Sequence, residues 1–379
     1  MTTVSRPVVV WFRDDLRIAD NPALTAALSH RAPVIALFVL DEESPGVRPL
    51  GGAAKWWLHH SLSAVASALA GLGISLVLRR GPAEKVVDEV VAAVGAAAIF
   101  WNRRYGGPER LVDAKLKKSL IDQGLEAESF AAGLLFEPWT IHTRKGEPYS
   151  VFTPFWRACT SGPAPRLPLP APQQPARSMG VTRVGGLTLE QLDLLPKRPD
   201  WAEGLREAWQ PGEVSGQQVL DEFLGDRLER YATDREIPGV RGSSGLSPHL
   251  RWGEISPHQV WHAAIGYQRD HLVASESVGC FLGEIGWREF AWHTLYHFPD
   301  LATKNWRRNF DHFPWPALRP DLLQVWQEGH TGIALVDAGM RELWRTGWMH
   351  NRVRMVTASF LTGREWSCLS ALLTKRSEC

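Results

Sequence analysis

The sequence is short of cysteine, of charge of one sign and of long apolar runs. Its four cysteines, Cys159, Cys280, Cys368 and Cys379, are scattered over 379 residues. None stands at metal-ligand spacing and no disulfide framework emerges, so no metal is expected and a reducing compartment fits. Each thiol reads as small and buried or incidental. A formal net charge of +1 gives no bulk attraction for nucleic acid, so a DNA site would have to come from uneven charge placement. No apolar run reaches the roughly 18 residues of a membrane helix, and Met1–Pro7 lacks the apolar core of a signal peptide. A cytoplasmic protein without membrane contact is expected. The histidines show no His-Glu-x-x-His or Cys/His metal spacing, and there is no nucleophile elbow, which sets hydrolase chemistry aside. The turn Arg13-Asp14-Asp15-Leu16-Arg17 carries no glycine fingerprint, which argues against nicotinamide dinucleotide binding.

What is present is a globular composition, 44% hydrophobic and 22% charged, on a chain too long for one ordinary core. Apolar runs at Pro7–Phe12, Val34–Leu40, Ile74–Leu78 and Ala97–Trp101 alternate with helical patterns: Pro22–Leu28 (capped by Asn21), Trp56–Gly71, Glu84–Val94 and Pro108–Gln123. Four strands alternating with helices predict an open parallel sheet, a Rossmann-like α/β domain over residues 1–130. Residues 131–215 read as an interdomain linker. Its stretch 161–175 holds six prolines, too many for a helix or a central strand. From residue 216 to 379 the texture is all-helical, with patterns over Gln217–Tyr231, Ser256–Tyr267, Ser277–His297, Leu322–Gly329, Ile333–Thr346 and Trp348–Leu361.

The helical part is unusual in side chain. Nine of the 18 tryptophans lie between Gly225 and Leu361, with 14 arginines but one lysine. Arginine's planar fork pairs bidentately with phosphate or carboxylate. Three motifs stand out. Arg241-Gly242-Ser243-Ser244-Gly245-Leu246-Ser247-Pro248 is a loop of short donors that lets a phosphate approach closely, although such a loop taken alone is more often an ordinary capped turn. In Gly283–Phe290, Glu284, Trp287 and Arg288 fall at i, i+3 and i+4 of a helix. They suit recognition of a flat heteroaromatic ring, or equally a surface ion pair beside a core tryptophan. In Gly347–Met355, Trp348, Asn351, Arg352 and Met355 fall on one helical face, with Arg354 at its flank. Polar groups of this kind are costly to bury unpaired, which favours a ligand or nucleic-acid face.

These motifs, in this order, resemble the photolyase/cryptochrome family, as do Val10–Arg17, Asp20–Leu24, Tyr149–Phe155, Trp326–Gly332 and Val336–Arg341. The resemblance is to class I cyclobutane pyrimidine dimer photolyases and covers most of Val8–Leu361. It implies an α/β antenna domain followed by an all-α FAD-binding domain, UV-damaged DNA as the partner, and a monomer. Light-driven electron transfer from reduced FAD would split the dimer. Carried onto this chain, Tyr231, Ser243, Ser244, Gly245, Leu246, Ser247, Phe281, Arg288 and Arg354 would bind FAD. Glu284, Trp287, Arg288, Trp348, Asn351, Arg352 and Met355 would face the lesion or its DNA. Glu284, Trp287 and Asn351 would act in repair, and Trp315 resembles the outermost tryptophan of the electron chain that reduces the flavin. Phe281 stands where the family often has Trp or Tyr, and Gly245 replaces a usual Arg. Asn102–Glu109 matches no single antenna type, which leaves a folate- or deazaflavin-type second chromophore open. Thr362–Cys379 does not resemble the family, so an altered end and an incomplete FAD domain are expected. The alternatives are a cryptochrome-like blue-light photoreceptor and an inactive relative.

Overall fold

The computed structural model describes residues 6–173, 184–314 and 319–362. Its first layer is a five-stranded sheet of β1 (Val8–Phe12), β2 (Val34–Leu40), β3 (Leu76–Arg80), β4 (Ala98–Asn102) and β5 (Glu126–Phe130). All neighbours are parallel, in the order β3-β2-β1-β4-β5. The helices α1 (Pro22–Ser29), α2 (Gly52–Gly71), α3 (Ala83–Val94) and α4 (Gly107–Asp122) supply the crossovers. Alternate residues of a strand face opposite sides. Thus Val10 and Phe12 join Leu24, Trp56 and Leu62 in one core, while Val9 and Trp11 join Val87, Trp101 and Leu116 in the other. Each fully buried side chain of this size contributes about 1.5–3 kcal/mol. The Asn21 side chain caps α1 by accepting from Leu24 N at 3.1 Å, as expected.

Beside the four expected strands stands a fifth, β5, that the pattern does not predict. Glu-Ala-Glu-Ser-Phe lies at the sheet edge and is only partly covered, so it lacks the continuous apolar run that marks β1 and β2. β3 also runs later than expected, because Arg79 and Arg80 continue the ladder against Val39 and Leu40.

Residues 131–215, expected as a linker, carry α5 (Phe152–Ser161) and α6 (Glu203–Ala208). The proline-rich stretch is pinned on both sides. Leu169 exchanges backbone and carboxylate hydrogen bonds with Asp20, each 2.9 Å, while His262 lies 3.0 Å from the carbonyls of Pro165 and Arg166.

The second layer is helical: α7 (Glu213–Asp226), α8 (Tyr231–Asp234), α9 (Ser247–Trp252), α10 (Pro257–His271), α11 (Ser275–His297), α12 (Pro320–Gln327), α13 (Ala334–Thr346) and α14 (Asn351–Thr362). The helix expected over Gln217–Tyr231 is two. Leu228 N turns back to Phe223 O at 2.9 Å, which closes α7 and lets Tyr231 open α8. Leu220, Phe223, Tyr231, Val260, Phe281 and Ile285 form the core between α7, α8, α10 and α11. The two layers meet tightly where Gly253, at φ +64°, passes the loop after β1. A Cβ on Gly253 would collide with the Asp14 carbonyl. Leu16 N donates to Trp252 O at 3.1 Å and the buried Arg17 donates to Gly253 O at 2.9 Å. No helix among the described residues is long and apolar enough to cross a membrane.

Candidate functional site

The hydroxyl-rich loop lies between α8 and α9 and is shaped by two glycines. A Cβ on Gly242 would collide with the Asp234 backbone, and Gly245 sits at φ +77°, which a side chain disfavours. Arg227 holds the loop from behind by donating to Ser243 O at 3.0 Å. Across from it, α11 presents Phe281, Glu284, Ile285 and Arg288, at i, i+3, i+4 and i+7. The Phe281 ring packs 4.6 Å from Phe223 and 5.6 Å from Tyr231, so it forms a floor rather than a hydrogen-bonding wall. Arg235, just past α8, donates to Glu284 at 2.7 Å and lies 5.3 Å from the centre of the Tyr231 ring. Burial works against the Arg235 charge, yet Tyr231, Glu284 and Cys280 together raise its pKa. Burial pushes the Tyr231 phenol up.

Arg288 is drawn inward to Glu289, at 3.3 Å. Burial lowers the Arg288 pKa and raises that of Glu289 to about 7. The other Glu289 oxygen accepts from the backbone N–H of Leu135 at 2.9 Å and of Phe136 at 3.2 Å, which ties α11 to the end of the α/β layer.

The third wall is the turn Gly347–His350. The expected helix over Trp348–Leu361 begins instead at Asn351. Gly347, at φ +71°, ends α13, and His350 Nδ1 accepts from Arg352 N at 3.1 Å as α14 starts. Trp348 therefore reaches the site from a turn and not from the helical face assigned to it. Arg354 folds back toward Met349 O, at 3.4 Å.

These walls enclose two adjoining cavities of about 420 and 500 Å³, which share Tyr231, Ser244, Ser247, Arg251 and Glu284. All nine residues expected to hold the cofactor line one or the other: Tyr231, Ser243, Ser244, Gly245, Leu246, Ser247, Phe281, Arg288 and Arg354. Of those expected to face DNA, Glu284, Arg288, Trp348 and Asn351 line them too. Trp287, Arg352 and Met355 stand outside. Trp287 is 49% exposed and stacks on Phe152 at 3.8 Å and 9°. Arg352 pairs with Glu236, and Met355 is 55% exposed. Trp315 lies outside the described residues. Among the described residues no group of His, Cys, Asp or Glu could hold a metal.

The sequence matches the family DNA photolyase over residues 8–174 and the FAD binding domain of DNA photolyase over residues 281–368. It is 46% identical over 365 residues to a deoxyribodipyrimidine photo-lyase of Agrobacterium fabrum, covering 95% of this chain and 74% of that one. It is 37% identical to Cryptochrome-1 of Arabidopsis thaliana, covering 93% of this chain and 52% of that one. The crystal structure of a bacterial class III photolyase from Agrobacterium tumefaciens superposes with a TM-score of 0.93 at 42% identity, covering 98% of this chain and 75% of that one.

This chain belongs to the DNA photolyase family.

As in that family, the cofactor is FAD, and the residues present fit it. The hydroxyl loop, Arg235 and Arg251 suit a diphosphate, while Phe281 suits a flat ring. The FAD-domain match continues to residue 368, past Leu361, where the likeness was expected to stop. The comparisons lend no support to an altered end.

Several photolyase-family wall residues were not anticipated. Asp14, Arg103, Arg104 and Tyr105 leave the carboxyl ends of β1 and β4, where the sheet order reverses. Crevices form at such points, so topology was the available signal. Arg251 ties this edge to the helical layer through Asp14, at 2.7 Å. Behind the second cavity, the buried Glu254 accepts from Trp57 Nε1 at 3.0 Å, Gly212 N at 2.7 Å and Ser61, and lies 2.5 Å from His249 Nδ1. Nothing in the local sequence pairs Trp57 with a residue 197 positions away.

Proposed function

We propose that this chain is a deoxyribodipyrimidine photolyase that splits cyclobutane pyrimidine dimers in DNA under blue light. The observation that carries the reading is the position of Glu284, which lines both cavities: with Ser244, Leu246 and Ser247 of the hydroxyl loop in the first, and with Ser243, Ser244, Gly245, Trp348 and Asn351 in the second. A cofactor held along the loop and a base entering past Trp348 would meet there. The chemistry that FAD supplies when bound is single-electron donation on absorbing light.

The chain's own residues do the rest. Ser243, Ser244, Gly245, Leu246, Ser247 and Tyr231 hold the cofactor's phosphate arm, and Phe281, Arg288 and Arg354 frame its ring. Glu284 accepts a hydrogen bond from the damaged base. Trp348 and Asn351 line its pocket, Trp287 offers its exposed ring for stacking, and Met355 and Arg352 stand at the rim. A dimer must leave the duplex to enter, at about a few kcal/mol, least for a damaged base. Arg352 meets backbone phosphate without reading sequence.

As to branch, the likeness to the Agrobacterium tumefaciens class III photolyase supports class III over the expected class I. The 37% identity to Cryptochrome-1 supports a blue-light photoreceptor as the second reading. The flavin-loaded chain should be illuminated with DNA carrying both cyclobutane dimers and (6-4) photoproducts. Loss of the dimers alone supports the proposal. Bound flavin with no lesion lost supports the photoreceptor.

A further inference from the structure

The rim of the second cavity holds a charge pair that neither flavin binding nor dimer contact uses. Arg352, on the first turn of α14, directs its Nε to Glu236 Oε2, and the two side chains remain 45% and 43% exposed. Glu236 lies just past α8 and comes from 116 positions earlier in the chain. Its neighbour Arg235 approaches it at 3.4 Å while holding Glu284 at 2.7 Å. Glu284, Arg235, Glu236 and Arg352 therefore form a row of alternating charge with no net sign. Among the described residues the Arg352 fork makes one further contact, Nη1 to the Met355 sulfur, at 3.7 Å. Arg352, the rim cation assigned to DNA, is thus already paired within the protein.

We propose that Glu236 is an intramolecular competitor of backbone phosphate for Arg352, and that it lowers the affinity of this rim for DNA as such. The inference rests on the repair reading, which turns the rim toward DNA. A guanidinium fork takes a carboxylate or a phosphate in the same planar, two-point geometry, so the two anions exclude each other. An exposed pair is weak enough for a phosphate to displace it. Phosphate contact carries no sequence or lesion information, so the competition acts on any duplex. It restrains the protein on the excess of undamaged DNA through which a lesion must be found.

The test is a four-protein cycle of wild type, E236Q, R352Q and the double variant. Each is titrated with an undamaged duplex and with the same duplex carrying a dimer, at one fixed salt concentration. Both positions are exposed, so folding is retained and is checked by thermal unfolding. E236Q should tighten binding of the undamaged duplex by about two- to five-fold, the range set by an exposed ion pair. In the R352Q background that gain should vanish, since no guanidinium is left to release. No tightening by E236Q overturns the inference. So does an equal gain in both backgrounds, which would be simple removal of a repelling charge. A wild-type chain that binds neither duplex overturns the repair reading and this inference together, whereas a chain that binds without coupling between the two positions overturns this inference alone.

Discussion

Arg235 Nη2 lies 2.7 Å from Glu284 Oε1, and the pair stands where the two cavities of the photolyase-family site adjoin. The guanidinium fixes the direction of the carboxylate that borders both. Losing a hydrogen bond to a charged group weakens an interaction by about 1.5–3 kcal/mol, or roughly ten- to a hundred-fold. Glu284→Ala should lower dimer repair by about that factor and disturb flavin retention far less. Repair rates and flavin absorbance on one preparation check this. Equal loss of both would count against a role for Glu284 at the lesion.

Phe152 stacks on Trp287 at 3.8 Å, and Trp287 stays 49% exposed. An aromatic pair is worth about 0.5–1.5 kcal/mol beyond its buried area. Phe152→Leu should weaken binding of dimer-containing DNA by about two- to ten-fold, while Phe152→Tyr keeps it. Undamaged DNA should bind both variants alike. A loss shared by damaged and undamaged DNA would remove Trp287 from lesion recognition.

The two loop glycines should differ in severity. At Gly245 the nearest atom to an added Cβ is 3.8 Å away, so Gly245→Ala brings only backbone strain, about 1–2 kcal/mol. At Gly242 the added Cβ meets the Asp234 backbone, which cannot yield without moving α8. Gly242→Ala should therefore release flavin and Gly245→Ala should largely retain it, as read from bound flavin after gel filtration. The reverse order would contradict the close packing of this loop.

Glu289 makes stability depend on pH. Burial raises its pKa from 4.5 to about 7. The folded chain then binds more protons than the unfolded chain between those values, so stability falls as pH rises from about 4.5 to about 7 and levels off above. The loss is on the order of 3 kcal/mol. Denaturant midpoints at about pH 5 and about pH 8 should differ in the wild type, and Glu289→Gln should flatten the difference. An unchanged slope would show that Glu289 stays ionised across the range.

Much of this was legible in the chain. β1, β2 and β4 announced themselves as continuous apolar runs, and Asn21-Pro22 marked the start of α1. The cofactor wall was legible because its residues sit close together in the sequence: Ser243–Ser247 in one loop, and Phe281, Glu284 and Arg288 on one helix. The losses have physical causes. β5 is an edge strand with charged outward positions, and so lacks an apolar run. The spacing of Trp348 fits a helix, but Gly347 in the left-handed region ends α13 and inserts a turn. Trp287 shares the spacing of Glu284 and Arg288, yet it stacks on Phe152, from α5, and lines neither cavity. The pairs Glu236–Arg352 and Glu254–Trp57 join residues far apart in the sequence, where periodicity carries no signal.

The most direct test of the whole reading is the fate of cyclobutane dimers in a short irradiated duplex mixed with the flavin-loaded chain, in the dark and under blue light. Binding in the dark, followed by loss of dimers only in the light, is the predicted result. A chain that holds flavin, binds the damaged duplex and leaves its dimers intact under blue light would contradict it.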